Sequence, residues 1–209
     1  QIISNEKQSF DDNYLLVGDN DILYLFIKNQ IIEKSQDKDE ILVFDCADKS
    51  DTLDQIIGSI GSQDLFSNNN LIIIKNINKL NKKNSEVLLK SIDSDNPHQI
   101  LCIDNNFLSY DYKSKSNTIK SASTKEFSKK LNVIDISTPF ESEMKQWIQL
   151  FANELNMKVS NSYSQKIIEI FGNNFSEIFN EMSKSSLTSS SEEDFITSLE
   201  NSSYNHKDK

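Results

Sequence analysis

The sequence predicts an α/β protein: a three-layer domain on a five-stranded parallel sheet, followed by a small all-helical lid domain. Three observations carry this. Short, wholly apolar runs alternate with helical patterns through the first two thirds of the chain. Those runs are continuous rather than alternating, which is what strands covered on both faces require. After Ile136 no strand pattern recurs, and only helical periodicity remains.

The elements follow in order. Tyr14-Leu-Leu-Val17 reads as a buried strand ending at Gly18. Asp19, Asn20 and Asp21 offer N-caps for a helix over Ile22 to Lys34, where Leu23, Ile27 and Ile31 recur at helical spacing. Ile41 to Phe44 is a second strand, ending at Asp45. A helix over Asp51 to Ile60 turns Leu53, Ile56, Ile57 and Ile60 inward. Leu71 to Ile74 is the third strand, Asn84 to Ile92 a helix, and Ile100 to Ile103 the fourth strand. Phe127 to Leu131 ends a further helix, and Val133 to Ile136 is the fifth strand.

At Thr138 the pattern changes. Thr138-Pro139-Phe140-Glu141 reads as a helix start, with threonine as cap, proline at the first helical position and Glu141 closing a capping box. Met144, Trp147, Ile148, Phe151 and Leu155 then form one stripe. A second helix runs over Ser162 to Phe171 and stops at Gly172. A third runs over Phe175 to Met182, with Asn174 as its cap. Ser183 to Ser191 reads as a loop, and Glu192 to Leu199 as a short last helix. The expected organisation is a loose segment 1–12, an α/β domain 13–137, a helical domain 138–200 and a tail 201–209.

Composition narrows the function. The 209 residues carry a formal net charge of −10, so the average surface repels a phosphate backbone. Two lysine clusters, Lys79/Lys82/Lys83 and Lys113/Lys115/Lys120, read as solvated surface. All 22 basic residues are lysine, so the chain holds no arginine finger. Cys46 and Cys102 sit inside apolar runs and read as buried free thiols. His98 reads as a loop residue entering the fourth strand. No metal-ligand spacing, membrane-length apolar run or signal peptide is visible. A cytoplasmic protein without cofactor or metal is expected. Gln1 is not a natural start, so residues are expected to precede it.

A parallel α/β domain followed by a helical one suggests an ATPase of the AAA+ type, and that idea makes demands on the residues. A P-loop needs phosphate-cradling glycines, then a lysine and a Ser/Thr hydroxyl for magnesium. The turn after the first strand is Gly18-Asp-Asn-Asp-Ile-Leu-Tyr-Leu25, with one glycine, two aspartates and no lysine. The third strand ends in Lys75-Asn76 where a magnesium-binding acid belongs. Asp45 and Asp48 read as helix-capping and solvated. No Gly-x-Ser-x-Gly turn occurs, so no catalytic residue is assigned.

One segment stands apart. Ser62-Gln63-Asp64-Leu65-Phe66 lies between the Asp51–Ile60 helix and the third strand, with Ser67 to Asn70 after it. Two large apolar side chains in a polar loop either plug the domain's own core or anchor a partner.

The chain resembles the delta subunits of bacterial DNA polymerase III holoenzyme. The resemblance rests on Tyr14-Leu-Leu-Val-Gly18-Asp before an apolar helix, and on Asp64-Leu-Phe66-Ser-Asn-Asn-Asn-Leu71-Ile-Ile-Ile-Lys75-Asn76. Pro97-His-Gln-Ile-Leu101-Cys-Ile and Pro139-Phe-Glu with Trp147-Ile complete it, over roughly residues 13–200. It implies an AAA+-like fold without a working P-loop, in a clamp-loader subunit that holds the sliding clamp and does not hydrolyse ATP. It implies that Leu65 and Phe66 contact the clamp. Ser62, Gln63 and Asp64 complete a pentapeptide similar to the clamp-binding consensus Gln-Leu-Ser/Asp-Leu-Phe, departing from it at Ser62, where the consensus has glutamine. It further implies motor and delta-prime partners reached through a helical collar expected beyond Lys209, and primer-template DNA only in the full complex. The polymerase holoenzyme is a nucleotidyltransferase; this chain is expected to be its non-catalytic part. The alternatives are a degenerate nucleotide hydrolase, with Asp19, Asp21 or Asp45 holding metal, or a delta-prime or motor subunit. The Ser-Arg-Cys motif of those subunits needs an arginine, and this chain has none.

Overall fold

The structure, a computed structural model, describes residues 13–34, 40–61, 69–92, 98–106, 108–111, 116–188 and 197. The chain divides into two compact units, Gln1–Ser137 and Thr138–Lys209.

In the first unit the strands are β1 (Tyr14–Val17), β2 (Ile41–Asp45), β3 (Leu71–Lys75), β4 (Gln99–Asp104), β5 (Ser109–Asp111), β6 (Ser116–Thr118) and β7 (Asn132–Asp135). The helices are α1 (Asp21–Lys34), α2 (Leu53–Gly61), α3 (Lys82–Ile92) and α4 (Ala122–Ser128). Five strands form one sheet in the order β2-β3-β4-β1-β7, every pairing parallel. This is the expected architecture. β5 and β6 form a separate antiparallel hairpin that the apolar pattern did not reveal, because Ser109-Tyr-Asp and Ser116-Asn-Thr have no hydrophobic run.

Successive strand residues face opposite layers. Leu15, Val17, Ile72, Ile74, Ile100 and Cys102 join Ile56 and Ile60 of α2, Leu88, Leu89 and Ile92 of α3, and Phe127 of α4 in one buried cluster. Leu16, Leu71, Ile73, Leu101 and Ile103 are also buried, as are Leu23, Ile27 and Ile31 of α1. Full burial of each such side chain contributes about 1.5–3 kcal/mol. β2 is an edge strand, and its Ile41 and Val43 are exposed.

Helix starts follow the local chemistry, though not always as the sequence suggests. Asn20, not an aspartate, caps α1: its Oδ1 accepts from the Leu23 amide at 2.9 Å. Thr52 and Gln55 cap α2 reciprocally, the Thr52 amide donating to Gln55 Oε1 (2.8 Å) and the Gln55 amide to Thr52 Oγ1 (3.3 Å). Asp45 and Asp48 therefore do not cap this helix. Asp48 accepts from the Ser50 amide in a local turn, which also lowers its pKa. Asp45 accepts from the Asn76 side chain instead. Cys102 is buried as expected, but Cys46 is only half-buried. Desolvation, with Asp45 and Asp51 adding to it, pushes the Cys46 thiol up to about 11.

The second unit contains α5 (Met144–Glu154), α6 (Asn161–Phe171) and α7 (Phe175–Thr188). A short 3-10 turn over Glu141–Glu143 precedes α5, so the helix starts later than Pro139 suggests. The returning carboxylate is Glu143, not Glu141: its Oε2 accepts from the Phe140 amide at 2.9 Å. Ser160 caps α6, and Gly172 ends it with φ of 59°. Asn174 caps α7 as expected, accepting from the Glu177 amide. The loop expected from Ser183 is a correction: the helix continues to Thr188. Ser183 and Ser186 return their hydroxyls to the carbonyls of Phe179 and Ser183, which satisfies them within the helix. The short helix expected over Glu192–Leu199 lies outside the described residues apart from Thr197, as do segments 1–12 and 201–209.

The apolar stripe of α5 makes an aromatic core. Phe151 packs edge-on to Phe175 and Phe179, at centroid distances of 4.9 and 4.8 Å, and Trp147 lies 5.4 Å from Phe175. Trp147 is the only tryptophan in the chain, so its fluorescence reports on this unit. Phe151→Ala is expected to destabilise the unit by about 3–5 kcal/mol. Urea titration followed by Trp147 emission should show the midpoint fall sharply. An unchanged midpoint would contradict the packing described.

Candidate functional site

The carboxyl ends of parallel strands are where open α/β sheets bind ligands. In this protein that edge is filled by the chain itself. Gly18 follows β1 with φ of 141°. An added Cβ there would meet the Ile136 carbonyl carbon at 2.5 Å and its oxygen at 2.8 Å, so only glycine fits. The Gly18 amide donates to the Asp104 carbonyl and the Asn20 amide to the Ile136 carbonyl, both at 3.1 Å. The Leu23 amide is taken by Asn20 Oδ1. Three amides of this turn and first helical residues thus point to the protein's own oxygens. In a P-loop, such amides are directed at phosphate.

Asp104, at the end of β4, is almost fully buried. Its Oδ2 accepts from the Thr124 hydroxyl at 2.6 Å, and its Oδ1 from the Asn106 amide at 3.2 Å and the Asn106 side chain. A buried carboxylate needs such donors. This ties β4 to α4, while the Asp104 carbonyl holds Gly18. Asp104, Asn106 and Thr124 were not singled out from the sequence. A lone acid closing an apolar strand was the available signal.

At the end of β3, Asn76 adopts a left-handed conformation (φ 56°), and its Nδ2 donates to Asp45 Oδ1 at 2.8 Å. The same oxygen accepts from the Ala47 amide. Asp45 is therefore a strap between β2 and β3. Asp19 and Asp21 lie at the start of α1 and are not brought into a ligand set with it. Among the described residues no group of three or more His, Cys, Asp or Glu could hold a metal ion. Likewise, no helix among them is long and apolar enough to cross a membrane.

Ser62, Gln63, Asp64, Leu65 and Phe66 lie outside the described residues. Their attachment points are described. Gly61 closes α2, and the preceding Ile60 is buried in the core. On the other side Asn70 is buried, its amide donating to His98 Nδ1 at 3.1 Å and its carbonyl accepting from the Gln99 amide. His98 is thus a buried clamp on the lead into β3, and not only a loop residue. β3 begins at the amino end of the sheet, opposite the Gly18 turn. Of the lysines noted in the sequence, Lys79, Lys82, Lys83 and Lys120 are exposed, and Lys113 and Lys115 lie outside the described residues.

A family model described as DNA polymerase III, delta subunit, matches residues 14–137, more than half of the chain. The chain is similar to the solved structure of the Bacillus subtilis DNA clamp loader delta protein (YqeN). The TM-score is 0.58 at 17% identity, over 84% of this chain and 53% of that one. It is also similar to a Thermotoga maritima RuvB variant, with a TM-score of 0.50 at 14% identity, over 90% of this chain and 60% of that one. These likenesses speak to the fold, the AAA+-like α/β domain expected from the sequence. The chain spans about half to three fifths of the length of these structures. No curated protein matches it.

The Asp104 cluster yields a stability test. Thr124→Val removes the hydroxyl donated to a buried carboxylate and is expected to cost about 1.5–3 kcal/mol. Chemical denaturation should register the loss. A variant as stable as the parent would mean that the Thr124–Asp104 bond does not hold β4 to α4.

Proposed function

The chain belongs to the DNA polymerase III delta-subunit family, and on that premise we propose that it acts in a clamp loader as the subunit that holds the sliding clamp without hydrolysing ATP. The observation that carries the second half is the self-filled Gly18 turn. Its amides are taken by Asp104, Ile136 and Asn20, and the chain offers neither a P-loop lysine there nor an acid after Ile74. A triphosphate would have to displace these bonds and face Asp19 and Asp21.

The clamp-holding half is assigned to Leu65 and Phe66, with Ser62, Gln63 and Asp64 as the polar part of the contact. Support comes from the family and from the segment's position between two fixed ends, Ile60 in the core and Asn70 on His98. Fixed residues on either side lower the ordering cost of binding through this sequence relative to a free peptide. Burial of the two side chains in a groove on the clamp supplies about 1.5–3 kcal/mol each. A rigid domain docked there favours whichever ring geometry it binds better, so opening needs no chemistry in this chain. Residues 13–137 serve as the clamp-facing domain and 138–200 as the helical lid. Assembly with motor and delta-prime subunits falls to the family's helical collar, primer-template DNA is met in the full complex, and the site of action is the cytoplasm.

Two measurements test this. Leu65→Ala combined with Phe66→Ala should weaken binding to the same organism's clamp roughly a hundredfold or more, given about 3 kcal/mol or more lost. Calorimetry reads the affinity, and circular dichroism should show the fold retained. Undiminished binding would sink the assignment, and loss of the fold would return the pair to the core. Titration of the chain with magnesium-ATP should give no heat in the micromolar range; saturable binding there would overturn the non-hydrolysing reading.

A further inference from the structure

We propose that the outer edge of β2 is a docking site for an extended peptide segment that carries apolar residues at alternate positions and lysine or arginine at its flanks. This site lies beyond the clamp reading and involves neither Leu65 nor Phe66. β2 ends the sheet and pairs with β3 alone. The Leu71 amide donates to the Glu40 carbonyl, and the Cys46 amide to the Lys75 carbonyl. In a parallel ladder this sets the even-numbered residues of β2 against β3 and turns the amides and carbonyls of Ile41, Val43 and Asp45 outward. Asp45 is closed off: its amide donates to Asp51 Oδ2 at 2.8 Å, and its carbonyl accepts from the Asp48 amide at 3.0 Å. Ile41 and Val43 have no such backbone partner among the described residues. Their N–H and C=O groups stand in strand geometry, the template with which a further strand pairs.

The side chains on both faces of that edge suit such a strand. Ile41 and Val43 are 43% and 52% exposed, while their register partners Leu71 and Ile73 are buried. One apolar layer of the sheet therefore runs out to an uncovered border, and apolar residues on an added strand would extend it. On the other face Leu42 and Phe44 pack against the core cluster. A groove of about 490 Å³ opens beside Phe44, lined also by Asp51, Gln55, Gly58 and Ser59. A Cβ at Gly58 would meet nothing within 4 Å, so there is open space against the helix. Successive side chains of an added strand point to opposite faces, one set onto Ile41 and Val43 and the other toward the groove.

Charge selects the partner. Between residues 40 and 59 the chain carries Glu40, Asp45, Asp48, Asp51 and Asp54 against Lys49 alone. None of these acids forms an ion pair among the described residues. A basic segment complements them. A second copy of this chain would bring the same acids to the edge, with a net charge of −10 behind them. Lysine also suits the groove, since its methylene stem can lie along Phe44 while its ammonium reaches Asp51.

The test is NMR of the full chain titrated with the blocked peptide Lys-Val-Thr-Val-Thr-Val-Lys. The Ile41 and Val43 amide signals are expected to shift saturably, and hydrogen exchange at both amides to slow. Glutamate in place of both peptide lysines should weaken binding about tenfold at low salt, with the difference shrinking as salt rises. Val43→Pro removes a donor that β3 does not use, so circular dichroism should be unchanged while affinity falls about tenfold. Gly58→Leu fills the groove within a helix that favours leucine over glycine, and should weaken binding severalfold without loss of stability. Leu65→Ala with Phe66→Ala should bind the peptide as the parent does, so this proposal and the clamp reading fail separately. Unmoved Ile41 and Val43 signals, equal affinity for the lysine and glutamate peptides, or parent-like binding by Gly58→Leu would overturn the proposal. A chain that sediments as a dimer and becomes monomeric in Val43→Pro would assign the edge to a second copy and overturn the basic-segment occupant.

Discussion

The bonds that lock the turn after β1 constrain everything around it. β1 lies between β4 and β7, and the turn is fastened to both neighbours: Gly18 to the Asp104 carbonyl, Asn20 to the Ile136 carbonyl. Each bond is worth only about 0.5–1.5 kcal/mol net, yet leaving its donor buried and unmade costs more. Gly18 makes the geometry possible, because a side chain would collide with the Ile136 peptide. Asp104 extends the lock outward through Thr124 into α4. Internal hydrogen bonds thus occupy the Gly18, Asn20 and Leu23 amides at the carboxyl edge of the sheet.

Much of this architecture was legible in the sequence, for a physical reason. A strand buried on both faces must be apolar throughout, so Leu71-Ile-Ile-Ile74 and Ile100-Leu-Cys-Ile103 announce themselves. The aromatic stripe from Met144 to Phe151 announces a helix in the same way. What stayed hidden was polar. The β5–β6 hairpin has no apolar signature. The serines after Met182 look like a loop until their hydroxyls are seen bonded to the preceding turn. Thr52 and Gln55 cap the helix that a reading of residue types alone gives to Asp45 and Asp48.

The candidate site divides along the same line. The missing P-loop lysine and the missing acid after Ile74 are absences of residue type, and a sequence records those directly. That Asn20 takes the Leu23 amide is a choice among three neighbouring capping residues that residue type leaves open, and that Asp104 is buried with three donors depends on contacts from β4 to residues up to 20 positions away. Leu65 and Phe66 stand out only as apolar side chains in a polar stretch, and the choice between core plug and partner anchor came from family resemblance.

The two ends of the sheet then carry different burdens. At the carboxyl end, β1, β3 and β4 finish in internal bonds: the Gly18 turn, the Asn76–Asp45 strap and the Asp104 cluster. At the amino end, the chain enters β3 through Asn70, held by His98 from the lead into β4. A motor ATPase must couple nucleotide at the first end to movement elsewhere, so its strand ends have to rearrange. A subunit that only presents a binding segment gains from the opposite property. The Asn76–Asp45 strap ties the carboxyl end of β3 to β2. Under the proposed reading, the missing P-loop lysine and acid and the internally bonded strand ends belong together, with the energy for change supplied by partners that bind the domain differently in different states.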